Sequence, residues 1–138
     1  MLSSKNPTIL VVDDEKSVRE LICLNLLASG YEVFEAEGGR QALQIAADPE
    51  NYVDILITDI IMPQMNGRDL ASRMCTFKPF LKVLFISAYS AEILTSNKLC
   101  PDGADFIKKP FTMKTLLDRI SHVWASSPKW KELVSRQA

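Results

Sequence analysis

A short run of branched apolar residues in the middle of the chain, Ile55–Ile57, constrains the fold more than any other feature. Such a run is typical of a strand that is buried on both faces of a parallel sheet. The run stops at Asp59, and Pro63 cannot continue a sheet ladder or lie inside a helix. In open α/β sheets, ligands bind beyond the carboxyl ends of the strands, where Asp59 would lie. Alone, an Asp that closes a strand is most often a turn residue.

Four further segments are predicted as strands. Thr8–Val12 and Val83–Ile86 are continuously apolar, which indicates burial on both faces. Tyr31–Glu35 alternates apolar and acidic residues, and Ala104–Lys108 is mixed, so both are predicted at the edges of the sheet. The strand order 2-1-3-4-5 puts the second and fifth strands at the edges, which matches this division.

Helices are predicted between the strands, and five strands alternating with five helices imply right-handed crossovers with helices on both faces. The predicted fold is therefore α/β, a flavodoxin-like (βα)5 doubly wound sandwich around a parallel five-stranded sheet. The predicted helices are Ser17–Ala28, Arg40–Ala47, Arg68–Phe77, Ala91–Leu99, and one that Thr112 caps and that runs to about Trp124.

The apolar stripes predict which helical side chains face the sheet. For the first helix they are Val18, Leu21, Ile22, and Leu26 or Leu27. For the third they are Leu70, Ala71 and Met74, and for the last Met113, Leu116, Leu117, Ile120, Val123 and Trp124. The segment Ala91–Leu99 has the thinnest stripe, because little besides Ile93 and Leu94 recurs at helical spacing.

Composition excludes several classes of protein. A chain of 138 residues with 47% hydrophobic residues predicts one domain with a real core. Its net charge of −1 gives no electrostatic reason to expect nucleic acid or an anionic membrane as a partner. No apolar run approaches the ~20 residues of a membrane span. Three cysteines without C-x-x-C spacing favour reduced thiols in a cytoplasm over disulfides or a zinc site.

The domain is predicted over residues 1–125, and residues 126–138 form a tail. Ser126-Ser127-Pro128 is a plausible helix start, with a cap followed by proline at the first helical position. Trp130, Leu133 and Val134 then fall at i, i+3 and i+4. The pattern fits a short helix that packs on the domain or contacts a partner, and it equally fits a frayed terminus or linker remnant.

Five chemistry-bearing residues follow the predicted strands and should share one rim of the sheet: Asp13, Asp14, Asp59, Ser87 and Lys109. Each alone has an ordinary role, such as an acidic residue beside the positive end of a helix. Together, three crowded carboxylates need a cation near neutral pH, and hard oxygen ligands suit Mg²⁺ with waters and a phosphate. Ser87 and Lys109 can stabilise a phosphoryl group, which makes Asp59 the natural nucleophile.

From Thr8 to about Trp124, the sequence resembles the receiver domain of two-component response regulators. The matching residues are Asp13-Asp14, Asp59 with Met62-Pro63 and Gly67, Ser87-Ala88, and Lys109-Pro110-Phe111. The resemblance implies a phosphoacceptor rather than an enzyme. It would take a phosphoryl group from the phosphohistidine of a histidine kinase onto Asp59, with Mg²⁺, and lose it slowly by self-dephosphorylation.

The resemblance also implies a role for each site residue. Asp14, Asp59 and the Ile61 carbonyl would bind Mg²⁺ directly, and Asp13 would act through water.

Ser87 and Lys109 would contact the phosphoryl group. Ser87 and Phe106 take the switch positions, with Phe106 lacking the hydroxyl of the tyrosine that is common there. Ile61 and Tyr89 flank the approach of the hydrolytic water, and neither orients water well, so slow dephosphorylation is expected. The output face would comprise the fourth helix, fifth strand and last helix.

Two stretches, Asn66–Ala71 and Lys82–Tyr89, are similar to the C-terminal receivers of hybrid sensor histidine kinases. We therefore expect a piece of a larger kinase or a single-domain relative. Its expected partners are a sensor histidine kinase, in cis or in trans, and a histidine phosphotransfer protein. If the chain is part of a hybrid kinase, the full-length protein is a kinase.

Other classes fit the residues less well. An aspartyl-phosphate hydrolase would carry D-x-D after the first strand, whereas Ile61 follows Asp59 at that spacing on the third. A flavodoxin-like cofactor carrier needs glycine and hydroxyl residues where Asp13-Asp14-Glu15 would repel phosphate. A degenerate receiver acting as a phosphorylation-independent binding module remains an alternative, although no key position is lost. His122 lies off the last helix's apolar stripe and is expected at the surface.

Overall fold

Five parallel strands form the centre of the molecule, and the computed structural model describes residues 6–136. Residues 1–5 of the predicted domain and 137–138 of the predicted tail lie outside that range. The strands are β1 (Thr8–Val12), β2 (Glu32–Ala36), β3 (Ile55–Asp59), β4 (Lys82–Ser87) and β5 (Asp105–Lys108). Their order is β2-β1-β3-β4-β5, as predicted. Every residue of β1 and β3 is buried, whereas β2 and β5 expose side chains at the edges.

Helices cover both faces of the sheet, so the predicted α/β architecture is confirmed. They are α1 (Lys16–Ala28), α2 (Gly39–Ala47), α3 (Gly67–Phe77), α4 (Ala91–Ser96), α5 (Met113–Ala125) and α6 (Trp130–Ser135). Side chains of α1 and α5 share one apolar cluster, and side chains of α2, α3, α4 and α6 share the other. Within residues 6–136, the helices are too short or too polar to cross a membrane.

The buried face of α1 differs from the predicted one. Ile22 is fully buried and Val18 is half-buried, and of the two alternatives Leu26 is buried while Leu27 is exposed, but Leu21, predicted to be buried, is 53% exposed. The helix is rotated so that Arg19, a residue that hydropathy assigns to solvent, is buried on the inner side. Leu21 lies about 100° around the helix from Ile22, and so it faces water.

The predicted cap of α5 is confirmed, because the Thr112 hydroxyl accepts a hydrogen bond from the Thr115 N–H. Leu116, Ile120 and Val123 are buried as predicted, and Met113 and Leu117 are half-buried. Trp124, predicted on the same stripe, is instead 38% exposed. It lies at the margin of the stripe, where the Lys82 ammonium lies 4.5 Å from the centre of its ring.

The predicted fourth helix was too long, because α4 ends at Ser96 instead of Leu99. Lys98 has a left-handed backbone with φ of 59°, and the Leu99 N–H donates to the Leu94 carbonyl at 2.8 Å. This pattern terminates a helix by turning the chain back onto its last carbonyls. The end of α1 has the same pattern, with Gly30 in the left-handed position at φ of 92°.

The tail contains a helix, but it begins two residues after the predicted position. α6 starts at Trp130 and Lys129 precedes it, so Pro128 is not the first helical residue. Trp130 and Leu133 are buried and Val134 is half-buried, which places the predicted apolar triplet against the domain.

Candidate functional site

The acidic centre of the site lies at the carboxyl ends of two neighbouring strands. Asp13 follows β1, Asp59 is the last residue of β3, and the two strands pair directly. One oxygen each of Asp13, Asp14 and Asp59 lies within 4.8 Å of the others. Asp13 and Asp59 are buried, whereas Asp14 is exposed, so the cluster opens to solvent on one side. These are three hard oxygen donors that converge on one point, as a divalent cation requires.

Lys109 reaches this cluster from the far strand β5. Its backbone N–H donates to the Ser87 carbonyl at 2.7 Å, which extends the pairing of β4 and β5 by one residue. Its ammonium donates to the Asp59 carboxylate at 2.8 Å and to the Asp13 carboxylate at 2.9 Å. The lysine is therefore fixed by its backbone on one strand while its charge lies between two carboxylates of others.

Burial and charge shift the pKa values of this pair. Burial raises the pKa of the Asp59 carboxyl above its ordinary value, although the hydrogen bond and charge of Lys109 oppose that effect. Burial alone would lower the pKa of Lys109, but its hydrogen bonds to Asp59 and Asp13 and their charges outweigh burial. The pKa of Lys109 therefore lies well above its usual range. A buried carboxylate whose ionised form is disfavoured gains stability from any cation that comes close.

Gly67 fixes the loop that follows Asp59. Its N–H donates to the Ile60 carbonyl at 2.8 Å, and a Cβ added here would lie only 2.3 Å from the Asp59 carbonyl oxygen. Only glycine permits so close an approach of α3 to the end of β3. The Asn66 side chain caps the helix by accepting from the Asp69 N–H.

The remaining predicted residues lie on or directly after β3, β4 and β5. Ser87 is fully buried at the end of β4, and its hydroxyl accepts from the Tyr89 N–H at 3.1 Å. Ile61 and Tyr89 are 43% and 51% exposed. The Ile61 N–H donates to Asp59 Oδ1 at 3.2 Å, which places this residue beside the Asp59 carboxylate. Phe106 is half-buried in β5, across from Phe85 of β4.

Two further residues support the site, and the sequence pattern did not assign them a role. Glu15 Oε1 lies 3.5 Å from the Lys109 ammonium. Arg19 donates to the Asp13 carbonyl at 2.7 Å and to the Glu35 carboxylate at 3.0 Å, so it ties α1 to the end of β1 and to β2. The sequence signal that could have indicated the role of Arg19 is its position beside the apolar stripe of α1, three residues before Ile22.

Comparisons with known proteins agree with this arrangement. Residues 9–121 match the family described as the response regulator receiver domain. The chain is 32% identical over 120 residues to the sensor kinase CckA of Brucella abortus, covering 87% of this chain but 13% of that protein. It is also 32% identical over 112 residues to the response regulator receiver protein CpdR of Brucella abortus, covering 81% of this chain and 92% of that protein.

Solved structures agree as well. A crystal structure of the receiver domain from the hybrid histidine kinase CckA is 36% identical, with a TM-score of 0.71, covering 85% of this chain and 98% of that one. The chain therefore belongs to the response regulator receiver domain family. Receiver domains are in general phosphoacceptors that bind Mg²⁺ at an acidic pocket and interact with histidine kinases or phosphotransfer proteins.

Proposed function

We propose that this chain accepts a phosphoryl group on Asp59 from the phosphohistidine of a histidine kinase. The observation that carries the proposal is the Lys109 ammonium, 2.8 Å from Asp59 and 2.9 Å from Asp13, beside three converging carboxylates. Such a group of charges can hold a phosphoryl group against a carboxylate nucleophile. An ordinary ion pair at the surface would need neither two buried carboxylates nor a third carboxylate close to them.

The carboxylates of Asp13, Asp14 and Asp59 suit Mg²⁺, because their hard oxygens converge and one side of the cluster is open for waters and phosphate. When bound, the ion would neutralise the crowded acids and stabilise the charge of the phosphoryl oxygens. We infer that Asp14, Asp59 and the Ile61 carbonyl hold it directly and that Asp13 acts through water. Lys109 then remains available to the incoming phosphoryl group.

The chemical step needs only an in-line displacement. An oxygen of Asp59 forms a bond to phosphorus while the phosphorus–nitrogen bond to the donor histidine breaks. The bonding electron pair leaves with the imidazole nitrogen, which takes a proton from solvent. Lys109 donates hydrogen bonds to the phosphoryl oxygens throughout, and the Ser87 hydroxyl turns to donate to one of them afterwards.

The product would change the packing beside β4. Ser87 is buried and its hydroxyl now accepts from the Tyr89 N–H, so donation to a phosphoryl oxygen would move it inward. Phe106, which is half-buried, could then rotate inward. We infer that α4, β5 and α5 form the output face. Phosphorylation acts as a population shift, since it must favour one arrangement by a few kcal/mol to matter.

The proposed phosphoacceptor role also indicates the partners. We infer that a sensor histidine kinase supplies the phosphoryl group and that a histidine phosphotransfer protein can exchange it. The chain spans 13% of the length of the sensor kinase CckA and 92% of CpdR, so its relatives include both a long kinase and a short receiver protein. Similarity to hybrid-kinase receivers favours a place in such a kinase.

The test is intact-mass measurement after incubation with acetyl phosphate and Mg²⁺. The unaltered chain should gain one phosphoryl group, and Asp59→Asn should gain none. Circular dichroism should show Asp59→Asn folded like the unaltered chain, so that loss of phosphorylation reports chemistry. Asp102→Asn, at an exposed turn, is the matched control and should be phosphorylated normally. A Mg²⁺-dependent mass increase in Asp59→Asn would sink the assignment.

The proposed metal ligands are tested separately, by the effect of Mg²⁺ on the free energy of unfolding. Mg²⁺ at ten times its dissociation constant should raise the free energy of unfolding of the unaltered chain by about 1.4 kcal/mol. Asp14→Ala should lose that increase, because too few hard ligands remain. An unchanged response in Asp14→Ala would place the ion elsewhere.

The lifetime of the phosphoryl group on Asp59 tests the role of the two residues that flank it. Ile61 and Tyr89 are bulky and half-exposed, and neither can orient an attacking water. We expect Ile61→Asn or Ile61→Glu to lose the phosphoryl group faster than the unaltered chain, measured as mass against time. Equal rates would show that shielding by these side chains is the wrong account.

A further inference from the structure

The helix α6 lies beyond the segment that matches the receiver family, which ends at residue 121, yet it packs into the core. Trp130 is 5% exposed and Leu133 is 8% exposed. An isolated helix of six residues is unstable in water, because so few hydrogen bonds do not offset the cost of nucleation. Tertiary contacts must therefore hold α6 in place.

Those contacts fall mainly on α3, β4 and the turn before β5. The Trp130 ring meets the Phe85 ring edge-to-face with centroids 5.4 Å apart, and its Nε1–H donates to the Ser72 hydroxyl at 3.3 Å. Leu133 lies over Gly103, and a Cβ added to Gly103 would lie 3.3 Å from Leu133 Cδ2. An edge-to-face aromatic pair of this kind stabilises the docked helix beyond the burial of apolar area.

Phe85 joins α6 to the residues that would respond to phosphorylation. It precedes Ser87 by two positions in β4, so both side chains point to the same face of the sheet. It is also the register neighbour of Phe106 in β5, and the two share one apolar cluster with Trp130. In addition, the Lys129 ammonium before α6 lies 3.4 Å from Asp105, the residue before Phe106.

Inward rotation of Phe106 would bring a second ring toward Phe85, the residue on which Trp130 already packs. Phe85 is fully buried, and a close-packed interior accepts a new ring only if a neighbour moves. The shift of a Ser87 hydroxymethyl group vacates less volume than a phenyl ring fills. α6 is a neighbour of Phe85 with only six residues, and a small cavity lies beneath it, lined in part by Val83 and Ala104.

We propose that α6 is an autoinhibitory contact: docked on Phe85 through Trp130, it favours the unphosphorylated arrangement and is released when Phe106 turns inward. The inference rests on the proposed function, because it needs a phosphoryl group on Asp59 as the trigger. Coupling between two sites is reciprocal, so weaker docking of α6 must favour the phosphorylated arrangement to the same extent.

The first test observes α6 directly. Trp124→Phe leaves Trp130 as the only tryptophan of the two in the chain. Adding beryllofluoride, a phosphoryl mimic, with Mg²⁺ should shift the Trp130 emission to the red and increase its quenching by acrylamide. Adding Asp59→Asn to this background should abolish both changes. Bound beryllofluoride is measured separately by fluorine NMR.

The two measurements separate the two failures. No bound fluorine signal in the unaltered chain would overturn the proposed function and this inference with it. A bound signal with Trp130 unchanged, or better protected from acrylamide, would overturn the inference alone.

The second test uses reciprocity. Leu133→Ala should weaken docking and raise the apparent affinity for beryllofluoride by about fivefold or more, the lower end of typical coupling between sites. Lys129→Ala, which removes the ion pair with Asp105, should act in the same direction. Lys131→Ala, on the exposed side of α6, is the matched control and should leave affinity unchanged. Equal affinities in all four proteins would contradict the inference.

Discussion

The sheet is covered by long helices on one face and partly by short ones on the other. α1 and α5, the long-helix pair, have 13 residues each and bury several apolar side chains apiece. α4 and α6, the short-helix pair, have six residues each, and α4 buries only Leu94. Ser87 precedes α4 by four residues, and Phe106 packs against the apolar cluster to which α4 and α6 contribute.

The difference in helix length indicates where the molecule can change shape. Local opening is easiest where few apolar contacts hold an element, and the stability of a short helix comes from those contacts alone. The long-helix pair should behave as a rigid support that keeps the carboxylates in place. The short-helix pair should open before the rest of the domain unfolds.

The largest expected difference between the two pairs is in stability. Leu26 of α1 and Leu94 of α4 are equally buried, at 0% and 1% exposed. Leu26→Ala should lower the free energy of unfolding by about 3 kcal/mol, since a rigid site leaves a cavity. Leu94→Ala should cost clearly less, because α4 can relax or open. Urea denaturation measures both, and equal losses would show that α4 is as rigid as α1.

Thiol reactivity should separate the pairs by a smaller amount. Burial raises the pKa of Cys23 in α1 and of Cys100 after α4 to about 11 each, so acid strength does not distinguish them. At pH 8 roughly one thiol in a thousand is ionised at such a pKa, and labelling by iodoacetamide should be slow and rise with pH. Cys100 should react about tenfold faster, which corresponds to an opening ~1.4 kcal/mol easier.

Peptide mass analysis gives the two labelling rates in the folded protein. In urea, with both thiols exposed, the rates should become equal. Faster labelling of Cys23 in the folded protein would reverse the comparison.

The smallest expected effects concern the ends of α1 and α4, which share one terminating pattern with different residues. Gly30 and Lys98 both have positive φ, and only glycine adopts it without steric cost. Lys98→Gly should therefore stabilise the protein by up to about 1 kcal/mol, and Gly30→Ala should destabilise it by about the same amount. Thermal unfolding measures both, and a loss of stability in Lys98→Gly would mean that the Lys98 side chain supplies compensating contacts.

The carboxylate site was predictable because it depends on short-range pattern. Asp13, Asp59, Ser87 and Lys109 each follow or close an apolar run, and parallel strands bring their carboxyl ends to one rim. The supporting contacts of Glu15 and Arg19 were not predictable in this way. Their partners, Lys109 and Glu35, are distant in sequence, and no periodicity records which rotamer of a long side chain will reach them.

Helix interiors followed from hydropathy, but their rotation and ends did not. The pattern in α1 predicted that Leu21 faces inward, whereas the structure buries Arg19, which bonds to other elements. The end of α4 depends on Lys98 accepting a left-handed backbone, which its residue type does not favour.

The five strands, their order, their central or edge positions and the residues that meet at the rim could all be predicted from the sequence. This was possible because burial on both faces and helical or strand periodicity depend on residues that are close together in the sequence. Only the tertiary structure decided that α6 docks through Trp130 on Phe85, 45 residues earlier, and that Lys109 lies between Asp59 and Asp13. Such contacts depend on volumes and distances between separate elements, which a linear pattern does not encode.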